Sequence, residues 1–215
     1  MNGSDADGGS GGGGAADAGV DEEPNALEDA PRVGEPVVES AVAEAAAATP
    51  TAAGATLEGL DRATRLDRVS SVLVAVGPGP HSGATVDVAR AVADATDAWL
   101  ELFHVVPTDA ALADASEPGT GDPDDYGATG ERLLDAARDR LGGFDRVDRW
   151  LVEDRSAAGA IVEQSPYYDL VVVGAPTTGT VGRFVFGSTT DTVIDDAEVP
   201  VVVVEADGET ALDAA

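Results

Sequence analysis

The chain has 215 residues and carries 41 acidic against 12 basic side chains, a net charge of −29. Every basic residue is arginine, and so large an acidic excess repels phosphate backbones and anionic lipid, which excludes nucleic-acid and membrane partners. With no cysteine and two histidines in separate segments, disulfides, thiolate chemistry and a zinc site are excluded as well.

Residues 1–66 are rich in glycine, alanine and acids and hold no aromatic side chain. The opening MNGSDADGGSGGGG lacks the basic start and apolar stretch of a signal peptide, and no apolar run in the chain reaches bilayer-spanning length; a cytoplasmic address is expected. Too little apolar surface is present in residues 1–66 to offset the entropy of ordering, so they are expected to form a disordered tail. Two stretches within it, PVVESAVAEAAAA from Pro36 and TLEGLDRATRL from Thr56, have helical propensity and are expected to form marginal helices at most. This tail and the acidic surface are the candidate places for a protein partner. The acidity itself reads as a solvated face adapted to concentrated salt, where the screening length falls to about 3 Å at 1 M.

From residue 67 the composition changes, and a folded domain is expected over 67–206. VSSVLVAVGPGP predicts a buried strand over 72–76, ended by Gly-Pro-Gly-Pro. HSGATVDVARAVADATDA predicts a helix capped by Ser82, with Val86, Ala89, Val92, Ala93 and Thr96 as its apolar stripe. WLELFHVV from Trp99 is a second strand closed by Pro107, in which His104 is expected to be a satisfied core residue. The segment 107–126 is acidic and broken by Pro118 and Pro123, as a long loop would be. GERLLDAARDRL then predicts an amphipathic helix from Ala128, stopped by Gly142-Gly143. VDRWLVE is a third strand whose alternation places it near an edge, and Ser156 caps a short helix through Val162.

The stretch DLVVVGAPTTGTVGRFVFGSTTDTV, Asp169 to Val193, predicts a buried strand, a small-residue loop and a helix start in one piece. Gly187 and Ser188 supply the last turn and an N-cap, with Asp191 at capping-box spacing. A strand that feeds a helix N-terminus through such a loop presents backbone N–H groups to an anion, for which a nucleotide phosphate is the candidate. Pro200 starts VVVVE, the fifth strand, and 207–215 is expected to be a polar tail. Five strands alternating with four helices predict a three-layer α/β/α sandwich. A P-loop needs a lysine, and neither a G-x-S-x-G elbow nor a cysteine nucleophile is present, so no catalytic residue is assigned.

AVGPGPHSGATVDVARAVADATDAWLELFHVV resembles the first βαβ unit of the universal stress proteins. The stretch from Val172 resembles their nucleotide loop, last helix and last strand, so that the resemblance covers about residues 68–206. It implies a five-stranded parallel sheet in the order 3-2-1-4-5 and a homodimer joined through the fifth strand at Val201, Val202, Val203 and Val204. It also implies an ATP or related nucleotide site, without metal, at Gly77, Val105, Gly174, Thr177, Gly179, Arg183, Gly187, Ser188 and Thr189. Two positions depart from the family pattern: Thr177 stands at its second glycine, and Gly77 stands where ATP-binding members place an aspartate against the adenine. With the acidity, these departures describe a haloarchaeal-type member with a divergent nucleotide loop. They keep a second reading in view, a nucleotide-free homodimeric regulatory or interaction module of the same fold.

Overall fold

The runs Val72-Leu73-Val74 and Leu170 to Val173 are buried on both sides, and that symmetry places them at the centre of a sheet. The computed structural model describes residues 37–65, 67–108, 123–175 and 187–212, with the backbone alone for 123–125 and 187–188. In chain order the elements are α1 (Val37–Ala48), β1 (Ala52–Glu58), β2 (Ser71–Ala75), α2 (Ser82–Thr96), β3 (Trp99–Pro107) and α3 (Pro123–Arg140). They continue with β4 (Val147–Asp154), α4 (Ala157–Gln164), β5 (Leu170–Gly174), α5 (Gly187–Asp196) and β6 (Val201–Ala206). Short 3-10 turns lie at Leu60–Arg62 and Ser165–Tyr167.

Among the described residues the sheet has six strands, not five, in the order β1-β6-β5-β2-β3-β4. The order differs from the expected one by a strand added beyond β6. β2 pairs parallel with β3 and β5, β3 with β4, and β5 with β6. One face carries Val72, Val74, Leu100, Leu102, Val172, Val202 and Val204 against α1, α2 and α3. The other carries Leu73, Phe103, Val171, Val173, Val201 and Val203 against Ala158 and Ile161 of α4 and Val193 of α5. Alternation along each strand sends neighbouring residues to opposite faces, so both layers draw on the same valine runs.

The sixth strand overturns the reading of residues 37–65 as part of a disordered tail; residues 1–36 lie outside the described ones. β1 runs antiparallel to β6, with Ala55 opposite Val204, Thr56 opposite Val203 and Glu58 opposite Val201. Thr56 to Glu58 therefore belong to a strand rather than to the helix that propensity suggested. α1 buries Val38, Ala41, Val42 and Ala45, the i, i+3, i+4, i+7 stripe of a helix with one packed face. Small side chains suffice here because the apolar surface they need is supplied by α2 and β1. Arg62 fastens the following turn, its Nη1 donating to the carbonyls of Ile194 (2.6 Å) and Ala197 (3.0 Å) at the end of α5.

The strand expected at the edge of the sheet lies inside it. β6 has β5 on one side and β1 on the other, and Val201, Val202, Val203 and Val204 are all buried within the chain. Its backbone N–H and C=O groups are used in the chain's own ladders with β1 and β5.

Candidate functional site

β2 and β5 pair in the middle of the sheet, Val72 with Leu170 and Val74 with Val172, which brings Gly174 level with Val76 at their carboxyl ends. From there the chain leaves in opposite directions: β2 continues through α2 on one face toward β3, and β5 continues through α5 on the other toward β6. This divergence is a topological switch point, and at the carboxyl ends of the strands there open α/β sheets have the crevice that receives ligands.

Gly174 is the closest point of the crevice. A Cβ there would stand 3.2 Å from His81 Cβ and 3.2 Å from Thr85 Oγ1, so a side chain would press on the first turn of α2. The Gly174 carbonyl accepts from the Thr190 hydroxyl at 3.0 Å, which ties the start of α5 to the end of β5. Gly77 follows Val76, whose N–H donates to the Phe103 carbonyl at 2.9 Å. Because Ala75 pairs with Phe103, Val105 stands level with Gly77 one strand over, buried against the α4 and α5 layer. Thr189 is buried in the first turn of α5, and Gly187 and Ser188 open that helix. Gly77, Val105, Gly174 and Thr189 are thus gathered at one end of the sheet. Thr177, Gly179 and Arg183 lie outside the described residues.

The start of α2 departs from expectation. Ser82 is its first residue and not its cap; the hydroxyl accepts from the Leu212 N–H at 2.9 Å. Residues 207–212, expected to be part of a polar tail, cross to this helix end as a strap. Thr210 accepts there through its carbonyl from Gly83 N–H (2.8 Å) and through its hydroxyl from Ala84 N–H (3.1 Å). The same hydroxyl donates to the Pro80 carbonyl at 2.9 Å, and Leu212 is buried. The N–H groups that α2 cannot satisfy internally are therefore met by the chain's own C-terminal segment. An anion at this crevice has α5, not α2, as its helix terminus.

His81 is half-buried, and its Nδ1 accepts from the Ala206 N–H at 3.0 Å. Nothing in its flanking residues marked that role, because its partner lies 125 positions away. Leu212, an apolar residue in a polar tail, was the available signal for the strap. His104 is satisfied as expected, its Nδ1 2.7 Å from the Val76 carbonyl; burial lowers its pKa below the ordinary histidine value of 6.5, while that bond acts the other way. Gly130 of α3 lies against it, since a Cβ there would fall 2.7 Å from His104 Cδ2. Among the described residues no group of three or more histidine, cysteine, aspartate or glutamate side chains could hold a metal ion, and no helix is long and apolar enough to cross a membrane.

Comparison with curated proteins gives no match. Among solved structures, the universal stress protein UspA from Lactobacillus plantarum is similar at 24% identity, with 64% of this chain and 99% of that chain covered and a TM-score of 0.51. A universal stress protein in complex with cAMP is similar at 22% identity, covering 65% and 99%, with a TM-score of 0.50. At these identities the two likenesses speak for the fold. The model of the universal stress protein family matches residues 69–205, well over half of the chain, from before β2 to the last turn of β6. An α/β sheet with its central crevice between β2 and β5, together with that match, assigns the chain to the universal stress protein family.

Proposed function

We propose that this stress-response domain binds a nucleotide such as ATP in the crevice between β2 and β5, without catalysis. The observation that carries the reading is the convergence at Gly174. There a residue without a side chain lets the ends of β5, α2 and α5 approach within van der Waals distance, at the point where the two crossovers diverge. The phosphates belong at the start of α5, where the helix dipole favours negative charge, since the N–H groups of Gly83 and Ala84 in α2 are taken by Thr210. Arg183, which precedes Gly187 in the sequence, brings a cation that counts for more in so acidic a chain. One solved relative holds cAMP, and that supports a nucleotide as the ligand class.

Gly77 supplies no carboxylate to an adenine amine, so the base contributes little selectivity. Equilibrium dialysis of labelled ATP against the full chain in molar salt tests this: ATP is expected to bind saturably and GTP to displace it at similar concentration. Displacement by ATP alone would contradict the account of Gly77. An absence of binding would favour the nucleotide-free interaction module, which the departures at Gly77 and Thr177 already support.

A further inference from the structure

Aromatic residues make up 4% of the chain, yet both tryptophans stand on the paired strands at one edge of the sheet, and Tyr168 packs in the layer on the same face as Phe103. β3 and β4 set this corner up. Glu101 pairs with Asp148 and Phe103 with Trp150, and alternation puts Trp99 on the same face, two residues before Glu101. The two indoles therefore flank a pair of neighbouring carboxylates along the strands. Trp99 is 44% exposed, Trp150 40% and Tyr167 77%, and these are the large hydrophobic side chains left exposed among the described residues.

The corner is open for a geometric reason. α4, which covers this face, has 8 residues and is about 12 Å long, whereas the 9 residues of β3 extend for about 30 Å. Ala158 and Ile161 reach Phe103, on whose ring Trp150 packs edge-on at 5.4 Å, and the Trp99 end stays uncovered.

Charge completes the description. The two arginines nearest in the chain are engaged elsewhere: Arg149 pairs with Asp135 of α3, and Arg146 bonds the Ala93 and Ala98 carbonyls and lies over the Phe144 ring. Among the described ion pairs neither Glu101 nor Asp148 takes part. Burial, and then the Asp148 charge, raise the Glu101 pKa above the usual carboxylate value. Tyr168 packs against the same cluster as Phe103, and burial, then the Glu101 charge, push its pKa up to about 12. Two like charges flanked by indoles are complementary to a planar, weakly hydrated cation, which can donate to both carboxylates and stack on the rings.

We propose that Trp99, Glu101, Asp148, Trp150 and Tyr168 form a docking surface for an arginine-bearing segment of a partner protein. Trp99 and Trp150 are the chain's two tryptophans, so intrinsic fluorescence reads this surface directly. The experiment titrates an acetylated hexa-arginine amide into the full chain in 0.5 M salt and follows tryptophan emission. A saturable change is expected, weakened about tenfold or more in Glu101→Gln/Asp148→Asn, as loss of a shared bidentate partner would do. Glu39→Gln/Glu44→Gln on α1 removes the same charge at a distance and should weaken binding less than about twofold at this salt. Circular dichroism checks the fold. The single exposed variant Asp148→Asn, which leaves the half-buried Glu101 in place, provides a second reading with an intermediate loss. Equal weakening by the two double variants, or no change in tryptophan emission, would overturn the proposal. So would hexalysine binding as tightly as hexa-arginine, or tetramethylammonium ion binding as tightly as the peptide.

Discussion

Replacing Gly83 with alanine tests whether the C-terminal strap is seated on α2. A Cβ at residue 83 would fall 2.3 Å from the Thr210 carbonyl oxygen, a backbone atom, so the strap has to move. That movement breaks the bonds from Gly83 N–H and Ala84 N–H to Thr210, at about 1 kcal/mol each. Alanine in place of glycine in a helix returns up to about 1 kcal/mol, which leaves a net loss of about 1 kcal/mol or somewhat more as Leu212 loosens. In a chain ending at Gly208 there is no Thr210 to strike, and the close neighbours left are the Arg140 guanidinium atoms, the far end of a flexible side chain. There the same substitution should be neutral or stabilising by up to about 1 kcal/mol. Urea unfolding of the four chains in molar salt gives the coupling, expected at about 2 kcal/mol. An equal effect of Gly83→Ala in both backgrounds would refute the strap's seat on α2.

The remaining expectations concern the rest of the frame. Residues 67–215 carry −19 of the −29 charge, so dialysis from molar to millimolar salt should cost structure by circular dichroism, and unchanged thermal stability across that range would refute the role of screening. Val202→Lys places a charge at a fully buried position between β1 and β5, at a cost on the order of several kcal/mol; it should unfold the chain, and a folded, soluble variant would contradict the buried β6. Removing residues 1–62 exposes the β6 edge and should increase concentration-dependent association in light scattering relative to the intact chain; a truncated chain that associates no more than the intact one would contradict the capping role of β1. The folded pKa of His104 lies below 6.5, so the unfolded chain binds that proton first and stability should fall as pH drops below about 6.5 toward the folded value. His104→Gln should flatten the stability profile over that window, and an unaltered profile would remove His104 as its cause.

How much could be read beforehand depended on where the apolar residues' partners lay. The strands at Leu73 and Val171 and the helix at Val86 were legible because each carries its own apolar run or stripe, and the alternation of VDRWLVE matched an edge strand, β4. β1 was not legible: AAGATLE has one large apolar side chain, and its hydrogen-bond partners are the residues of β6 about 150 positions later. α1 was seen as helical propensity but not as a packed element, since its valines and alanines gain their burial from α2. The unforeseen sixth strand is also what moves Val201–Val204 from the edge of the sheet to its interior. At the crevice, Gly174 and the start of α5 were visible as a motif, whereas His81 and Thr210 act through contacts spanning more than 120 residues and leave no local pattern.

The measurement closest to the central claim is calorimetric titration of ATP into the full chain at a salt concentration where it is folded. Saturable heat at millimolar ATP or below is expected, weakened at least about tenfold by Gly187→Val at the start of α5 and by Arg183→Ala, as loss of close phosphate contacts would produce. No heat from the folded wild-type chain with millimolar ATP would contradict the account and leave the crevice without a nucleotide.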